Sequence, residues 1–171
     1  IPSNEIAVVK MGTTVATNAL LERKGSKTLL VVNDGFKDAL RIGYQNRPDL
    51  FALDIRLPEQ LYHEVIELPG RVDANGATIT AVDKELAKQE FNRFYDMGIR
   101  SMAIVLMHGY RYRSNEKLLL KIARDVGFQQ ISVSHEVSPI IKFISRGDIT
   151  VIDAYLSPIL DQYIKKTQKK L

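Results

Sequence analysis

The chain has 171 residues, of which 45% are hydrophobic and 26% charged, a balance that suits one globular domain with its own core. It has no cysteine, which excludes disulfides, thiolate metal sites and a cysteine nucleophile. The net charge of +4 equals the charge of four lysines near the end, so the rest of the chain is close to neutral and does not predict nucleic-acid binding: Lys165, Lys166, Lys169 and Lys170.

The first segment contains a predicted helix. Thr13 or Thr14 can cap a helix that follows Gly12 and carries apolar residues at helical spacing, and Gly25 is the predicted stop. The chain opens at Ile1 without an initiating methionine, so we expect it to be a piece of a longer protein.

The next segment predicts a buried strand over residues 28–32, ended by Asn33-Asp34-Gly35, and a short helix over residues 35–42. Residues 43–62 contain two prolines, and we expect irregular structure there. A strand over residues 63–68 leads to Asn75-Gly76, a strong hairpin signal. We expect this region to form a small β-excursion from the main sheet.

The second half alternates helices and strands. Asp83 predicts the cap of a helix that ends at Gly98, and the apolar run 102–107 predicts a strand buried on both faces. Ser114 or Asn115 begins a helix ending at Gly127, and a strand follows over residues 131–134. A last helix is predicted over residues 149–170, with a kink or restart at its internal proline.

This order predicts an α/β fold with a mostly parallel sheet flanked by helices and a small β-hairpin excursion. We divide the chain into an α/β domain over residues 1–148 and a helix over residues 149–171 that leads into a further domain. No apolar run reaches the roughly 18 residues that a membrane span needs, and we expect a cytoplasmic protein.

Ligands of such sheets bind beyond the carboxyl ends of the strands. Segments beginning at Asn33, Met107 and Ser134 occupy that position, and two histidines, His108 and His135, follow core strands directly. A histidine there is more often a hydrogen-bonded turn residue, so both interpretations stay open. His63 receives no role. The sequence contains no phosphate-loop, dinucleotide, metalloprotease or nucleophile-elbow motif, and no triad or metal ligand can be assigned.

Two stretches carry more specific chemistry. Residues 12–18 place threonine hydroxyls and Asn18 at a helix start, where free backbone N–H groups favour an anion or phosphate. Simple capping, which needs one threonine, explains them equally well. Residues 43–51 form a polar loop that includes Arg47 and Asp49, and an ordinary surface connection is the alternative.

These stretches resemble the hydantoinase A / 5-oxoprolinase family. Residues 12–25 resemble its signature GTTVATNALLERKG, and the segments 35–38, 45–51, 134–139 and 150–158 follow in the family's order. The family's acidic, glycine-rich phosphate loop would lie before Ile1, and Met11 stands where a histidine is common. The resemblance implies the N-terminal domain of an actin-like nucleotide-binding fold of the sugar-kinase and Hsp70 type.

The resemblance also implies a function and site residues. It implies an ATP-dependent hydrolase that opens hydantoin or 5-oxoproline rings through phosphoryl activation of the amide, using Mg²⁺ and a hydantoinase B-type partner subunit or domain. The alternatives are a subunit of an acetone- or acetophenone-type carboxylase and a non-catalytic assembly module. No general acid or base is assigned, and we expect the fragment alone to be inactive. The matching motif positions imply six residues that contact the nucleotide or the substrate: Thr13, Thr14, Asn18, Arg47, Asp49 and His135.

An exposed sheet edge would favour self-association, which makes a homo-oligomer one expectation. The sequence gives no indication of a membrane or nucleic-acid partner.

Overall fold

The computed structural model of the chain describes residues 12–44 and 59–168. Four parallel strands form one sheet in the order β2-β1-β3-β4, so the predicted α/β class with a parallel sheet is confirmed. Along the chain, helices separate the strands, because a parallel pair needs a crossover connection. The elements are α1 Val15–Leu21, β1 Thr28–Asn33, α2 Ala39–Ile42, β2 Glu64–Leu68, α3 Lys84–Asp96, β3 Ser101–Ile104, α4 Ser114–Val126, β4 Gln130–Val133, α5 Ser134–Val137 and α6 Phe143–Gln168.

The sheet is covered by a separate hydrophobic core on each face. Every residue of β1 is buried, and its side chains alternate between the faces as the strand pleat requires. Leu29 and Val31 pack with α3 and α4, whereas Leu30 and Val32 pack with α2 and α6. This two-sided burial explains the continuous apolar run of the strand.

Helix α3 begins as the sequence predicts. The Asp83 side chain accepts a hydrogen bond of 2.9 Å from the backbone N–H of Leu86, which satisfies one of the free donors of the first turn. Phe91 and Phe94 are buried against the sheet, and Phe91 meets Phe128 edge to face at 6.2 Å between ring centroids. The helix ends at Asp96, just before the predicted stop.

Strand β2 corrects one part of the predicted excursion. It is an edge strand of the main sheet, paired in parallel with β1 so that Leu30 lies opposite Val65. Only the following turn leaves the sheet, where Val72 and Thr78 form an isolated antiparallel bridge. The local hairpin signal was right, but strand pairing over a long connection is a tertiary property that no local pattern contains.

Helix α6 is longer than predicted. It begins at Phe143 rather than at residue 149 and runs through Pro158. Gly147 and Asp148 have low helix propensity. The helix nevertheless continues through them, because Val151 and Ala154 pack in the core beneath the sheet. The division of the chain at residues 148 and 149 therefore falls inside one helix, and it stays a prediction.

None of the helices in residues 12–44 and 59–168 is long and apolar enough to cross a lipid bilayer.

Gly25 has a packing role rather than the predicted role of ending a helix. Helix α1 ends earlier, at Leu21, and the chain then passes under the buried ring of Tyr155. A Cβ atom on Gly25 would lie 1.9 Å from Cε1 of Tyr155. The backbone N–H of Ser26 also donates to the carbonyl of Tyr155 at 3.0 Å, so the contact is fixed on both sides.

We therefore expect Gly25→Ala to lower the free energy of unfolding by about 1–3 kcal/mol, because the added methyl group overpacks a buried aromatic contact. Gly12→Ala is the matched control, since a Cβ at Gly12 meets no atom of the described residues within 4 Å. Urea denaturation followed by circular dichroism measures both. Equal stability of the two variants would contradict this account of the close contact.

Candidate functional site

The carboxyl ends of β1, β3 and β4 meet at one edge of the sheet, as parallel order requires. Asn33 ends β1, and its side-chain Oδ1 accepts a hydrogen bond of 2.7 Å from the backbone N–H of Met107, which follows β3. Ser134 and His135 follow β4 directly and begin α5. The three segments that the sequence placed at this edge are thus neighbours in the fold.

A buried carboxylate ties these segments together. Glu116 lies in the first turn of α4 and is completely buried. Its Oε1 accepts hydrogen bonds from the backbone N–H of Leu106 at 2.9 Å and from the Ser134 hydroxyl at 2.6 Å. Its Oε2 accepts from the backbone N–H of His135 at 3.1 Å and lies 2.6 Å from the His135 Nδ1. One side chain therefore links α4, the end of β3 and α5.

A buried arginine on α6 balances this charge. Arg146 is also fully buried, and its Nε donates to the Ser134 hydroxyl oxygen at 3.0 Å. Its remaining nitrogens donate to backbone carbonyls, with the strongest contacts at Ile140 (2.7 Å) and Leu106 (2.8 Å). Burial lowers the pKa of the Arg146 guanidinium, and the charges of Glu116 and Tyr110 act in the opposite direction.

The loop after β3 must come very close to the carboxylate. A Cβ atom on Gly109 would lie 2.3 Å from Oε1 of Glu116, so only glycine allows the backbone to pass there. The preceding residue, His108, adopts a left-handed backbone with φ of 59°, and its ring lies 6.4 Å from that of Tyr110. The close approach of this loop to the buried Glu116 therefore depends on glycine at position 109.

Two polar atoms at this edge have no hydrogen-bond partner among the described residues. They are the Nδ2 of Asn33 and the Nε2 of His135, and both are buried. Buried polar groups are nearly always paired, so an orphan atom at the ligand-binding edge of a parallel sheet indicates a partner of another kind. These two atoms are the part of the edge best suited to contact a ligand.

The structure separates the predicted site residues. His135 lies at the carboxyl edge, whereas Thr13, Thr14 and Asn18 are exposed on or just before α1, which packs against α6. The Thr13 hydroxyl accepts a bond of 3.2 Å from the backbone N–H of Val15, and Thr14 makes no side-chain capping bond. No hydrogen bond between described side chains joins this group to His135. The predicted residues Arg47 and Asp49 lie outside the described residues.

The sequence interpretation missed Glu116 and Arg146. Glu116 lies three, four and seven positions before buried apolar residues of α4, so it belongs to the inward stripe of that helix: Leu119, Leu120 and Ala123. Arg146 stands four and eight positions before Thr150 and Ala154, which are buried on α6. A charged residue in register with an apolar stripe is a signal that could have found both.

A second concave surface is apolar. A groove of about 640 Å³ lies between α1, α2, α6 and residues 59–62. Burial raises the pKa of the Tyr62 phenol, and nearby Asp38 adds to this rise. Packing that displaces water raises the pKa of Asp148, although this side chain reaches the surface. Because most of the surface that lines the groove is apolar, the polar carboxyl edge is the better candidate for chemistry.

No group of three histidine, cysteine, aspartate or glutamate side chains within the described residues could hold a metal ion. We therefore assign no metal ligands to this part of the chain.

A family model described as the hydantoinase/oxoprolinase N-terminal region matches residues 1–127. The chain is 39% identical to a 5-oxoprolinase of Dictyostelium discoideum and 41% identical to 5-oxoprolinase 1 of Arabidopsis thaliana, with 96% of the chain aligned in each case. It spans only 15% and 14% of the length of these two relatives.

Two solved structures share the fold. The ATP-dependent caprolactamase from Pseudomonas jessenii matches 92% of this chain and 23% of its own, with a TM-score of 0.79 and 27% identity. A nucleotide-free acetone carboxylase matches 84% of this chain and 22% of its own, with a TM-score of 0.69 and 22% identity. The second match shows the fold alone.

We expect Arg146→Met to lower the free energy of unfolding by about 3–5 kcal/mol, because it leaves the buried Glu116 carboxylate without its compensating charge. Arg124→Met is the matched control, since Arg124 is exposed on α4 and its loss should change stability by less than about 1 kcal/mol. Urea denaturation compares the two. A small effect at Arg146 would show that the buried charge pair does not stabilise this edge.

Proposed function

This chain belongs to the hydantoinase/oxoprolinase family, and on that premise we propose that it is part of an enzyme that opens cyclic amides with the use of ATP. The observation that carries the proposal is the alignment of 96% of the chain with 5-oxoprolinases. The shared fold with an ATP-dependent caprolactamase supports it, because a lactam is also a cyclic amide. The chain covers a small part of these proteins, so the remaining catalytic groups would come from outside it.

The chemistry explains the need for a nucleotide. An amide carbonyl is a weak electrophile. Transfer of a phosphoryl group from ATP to the amide oxygen would release ADP and make the carbonyl carbon more electrophilic, so that water can add to it and the ring C–N bond can break, with Mg²⁺ balancing the phosphate charges. In the described residues, the hydroxyls of Thr13 and Thr14 are exposed before α1 and fit a phosphate or an activated substrate. Asn18, one turn further along α1, is proposed to act with them.

The other site residues keep the roles that the motif match suggested. We propose that His135 forms hydrogen bonds in the cleft at the carboxyl edge of the sheet. Arg47 and Asp49 are proposed to orient the substrate or the opposing subunit. Residues 1–148 would form the α/β domain, and the end of α6 would lead into a further domain.

A partner is part of the proposal. One relative, 30% identical to this chain, is named caprolactamase subunit alpha, which supports a second subunit in that system. We propose a hydantoinase B-type subunit or domain as the partner here, and a cytoplasmic location where ATP is available. A ketone-carboxylase subunit is the second candidate, supported by the fold of acetone carboxylase.

We expect the full-length protein that carries this chain, assayed with its partner subunit, to hydrolyse ATP faster when 5-oxoproline or hydantoin is present. Coupled release of ADP measures the rate, and acetone with bicarbonate is the comparison substrate. Stimulation of ATP hydrolysis by acetone with bicarbonate, and by neither cyclic amide, would favour the carboxylase. An ATPase rate that no substrate changes would favour a non-catalytic assembly module.

The double substitution Thr13→Val and Thr14→Val should lower kcat/KM for ATP by about tenfold or more, because hydrogen bonds to charged groups contribute about 1.5–3 kcal/mol. Thr17→Val is the matched control, because Thr17 is also exposed on α1 but lies outside the proposed contact. Unchanged ATP-dependent turnover in the double variant would remove both threonines from the site.

A further inference from the structure

The hydrogen bonds around Glu116 fix the position of each shared proton. The Arg146 guanidinium has only donors, so the Ser134 oxygen accepts from its Nε at 3.0 Å. The Ser134 proton is then directed to Glu116 Oε1, at 2.6 Å. Glu116 also accepts from two backbone N–H groups, so three hydrogen bonds of fixed direction point at its two oxygens.

This leaves one arrangement for the neutral His135 ring. Nδ1 lies 2.6 Å from Oε2 of Glu116, a distance typical of a ring N–H that donates to a carboxylate oxygen. A neutral imidazole carries a single N–H, and therefore Nε2 carries a lone pair. Building on the proposed function, we infer that Glu116 is a positioning residue that holds His135 in the Nδ1–H form, so that Nε2 accepts a hydrogen bond from the ring N–H of a cyclic amide.

The surroundings of Nε2 call for such a donor. Nε2 is buried and has no hydrogen-bond partner among the residues described. The charged groups around the ring are Glu116 from α4, Arg146 from α6 through Ser134, and Glu136 from α5, whose Oε1 lies 3.6 Å from Nε2. A carboxylate oxygen repels a lone pair. The Glu136 side chain is 56% exposed, and in the proposed complex it would turn towards solvent and leave Nε2 to the ligand.

Asn33 supplies the complementary group. Its Oδ1 already accepts from the Met107 N–H, which makes the unpartnered Nδ2 a donor. An orphan donor and an orphan acceptor at one sheet edge match the C=O and N–H of an amide. Asn33 ends β1 and His135 lies just after β4, and these strands flank β3, so their backbones are about 10 Å apart. The ring holds the C=O and N–H of a cyclic amide on one edge, so the Asn33 and His135 side chains would have to converge on that edge from their two strands.

The tautomer of His135 can be measured by ¹⁵N NMR of the 171-residue chain labelled with ¹⁵N in its histidine rings. Protonated and unprotonated ring nitrogens have well-separated chemical shifts. We expect a protonated Nδ1 and an unprotonated Nε2 in the neutral form of His135. A protonated Nε2 would overturn the inference. This measurement on the unsubstituted chain needs neither a variant nor catalytic activity.

Glu116→Gln tests the positioning role. A glutamine amide can donate to Nδ1, so we expect the proton of the neutral ring to move to Nε2. Glu136→Gln is the matched control. Glu136 lies near Nε2, so Glu116 still faces Nδ1 in this variant and we expect the tautomer to stay unchanged. An unchanged Nδ1–H form in Glu116→Gln would overturn the role of Glu116.

The ligand contact is tested with 5-oxoproline and with the lactone of the same ring size that carries the same carboxylate but has no N–H. We expect 5-oxoproline to shift the Nε2 resonance and the lactone to leave it unchanged. Equal shifts, or binding of 5-oxoproline that moves other resonances but not Nε2, would overturn the contact. These spectra are recorded on the full-length protein with its partner subunit. If 5-oxoproline speeds ATP hydrolysis there but does not move the Nε2 resonance, the contact fails and the proposed substrate class stands; if it changes neither, the substrate class fails as well.

Discussion

The buried carboxylate of Glu116 is the constraint on which the carboxyl edge of the sheet depends. An ionised group removed from water must be balanced by hydrogen bonds and by an opposite charge, or the fold loses several kcal/mol. Glu116 obtains these from Ser134, from His135 and, through Ser134, from Arg146 on α6. Three helices and the loop after β3 must therefore hold fixed positions at this edge, although they are distant in sequence.

This requirement explains features that otherwise look unrelated. Gly109 is needed because the loop backbone passes within contact distance of the carboxylate. Helix α6 begins early because Arg146 must reach from its first turns to the carbonyls of Leu106 and Ile140. Within the described residues, the outer nitrogen of the His135 ring and the Asn33 Nδ2 have no hydrogen-bond partner. A rigid, charge-balanced edge with two such polar atoms is a suitable place to orient a small polar ligand.

The predicted phosphate contacts lie on another part of the molecule. Thr13 and Thr14 are exposed before α1, which packs on α6 through Ala19 and Tyr155 rather than on the sheet edge. In the proposed enzyme, the threonines and His135 would therefore contact different parts of the bound ligands. This chain covers only 15% and 14% of the two 5-oxoprolinases, so other parts of the protein would complete the site around the reacting groups.

The sequence by itself determined the elements whose signals are local. Asp83 capped α3 as predicted, the apolar runs became buried strands, and the alternation of strands and helices gave the parallel sheet. The motif over residues 12–25 was specific enough to identify the family. Only the tertiary structure decided that β2 joins the main sheet, that α6 continues through Gly147, and that Ser134 links Glu116 and Arg146 in the interior. Strand pairing and buried charge compensation depend on residues far apart in the chain, so no local pattern of propensity or spacing can specify them.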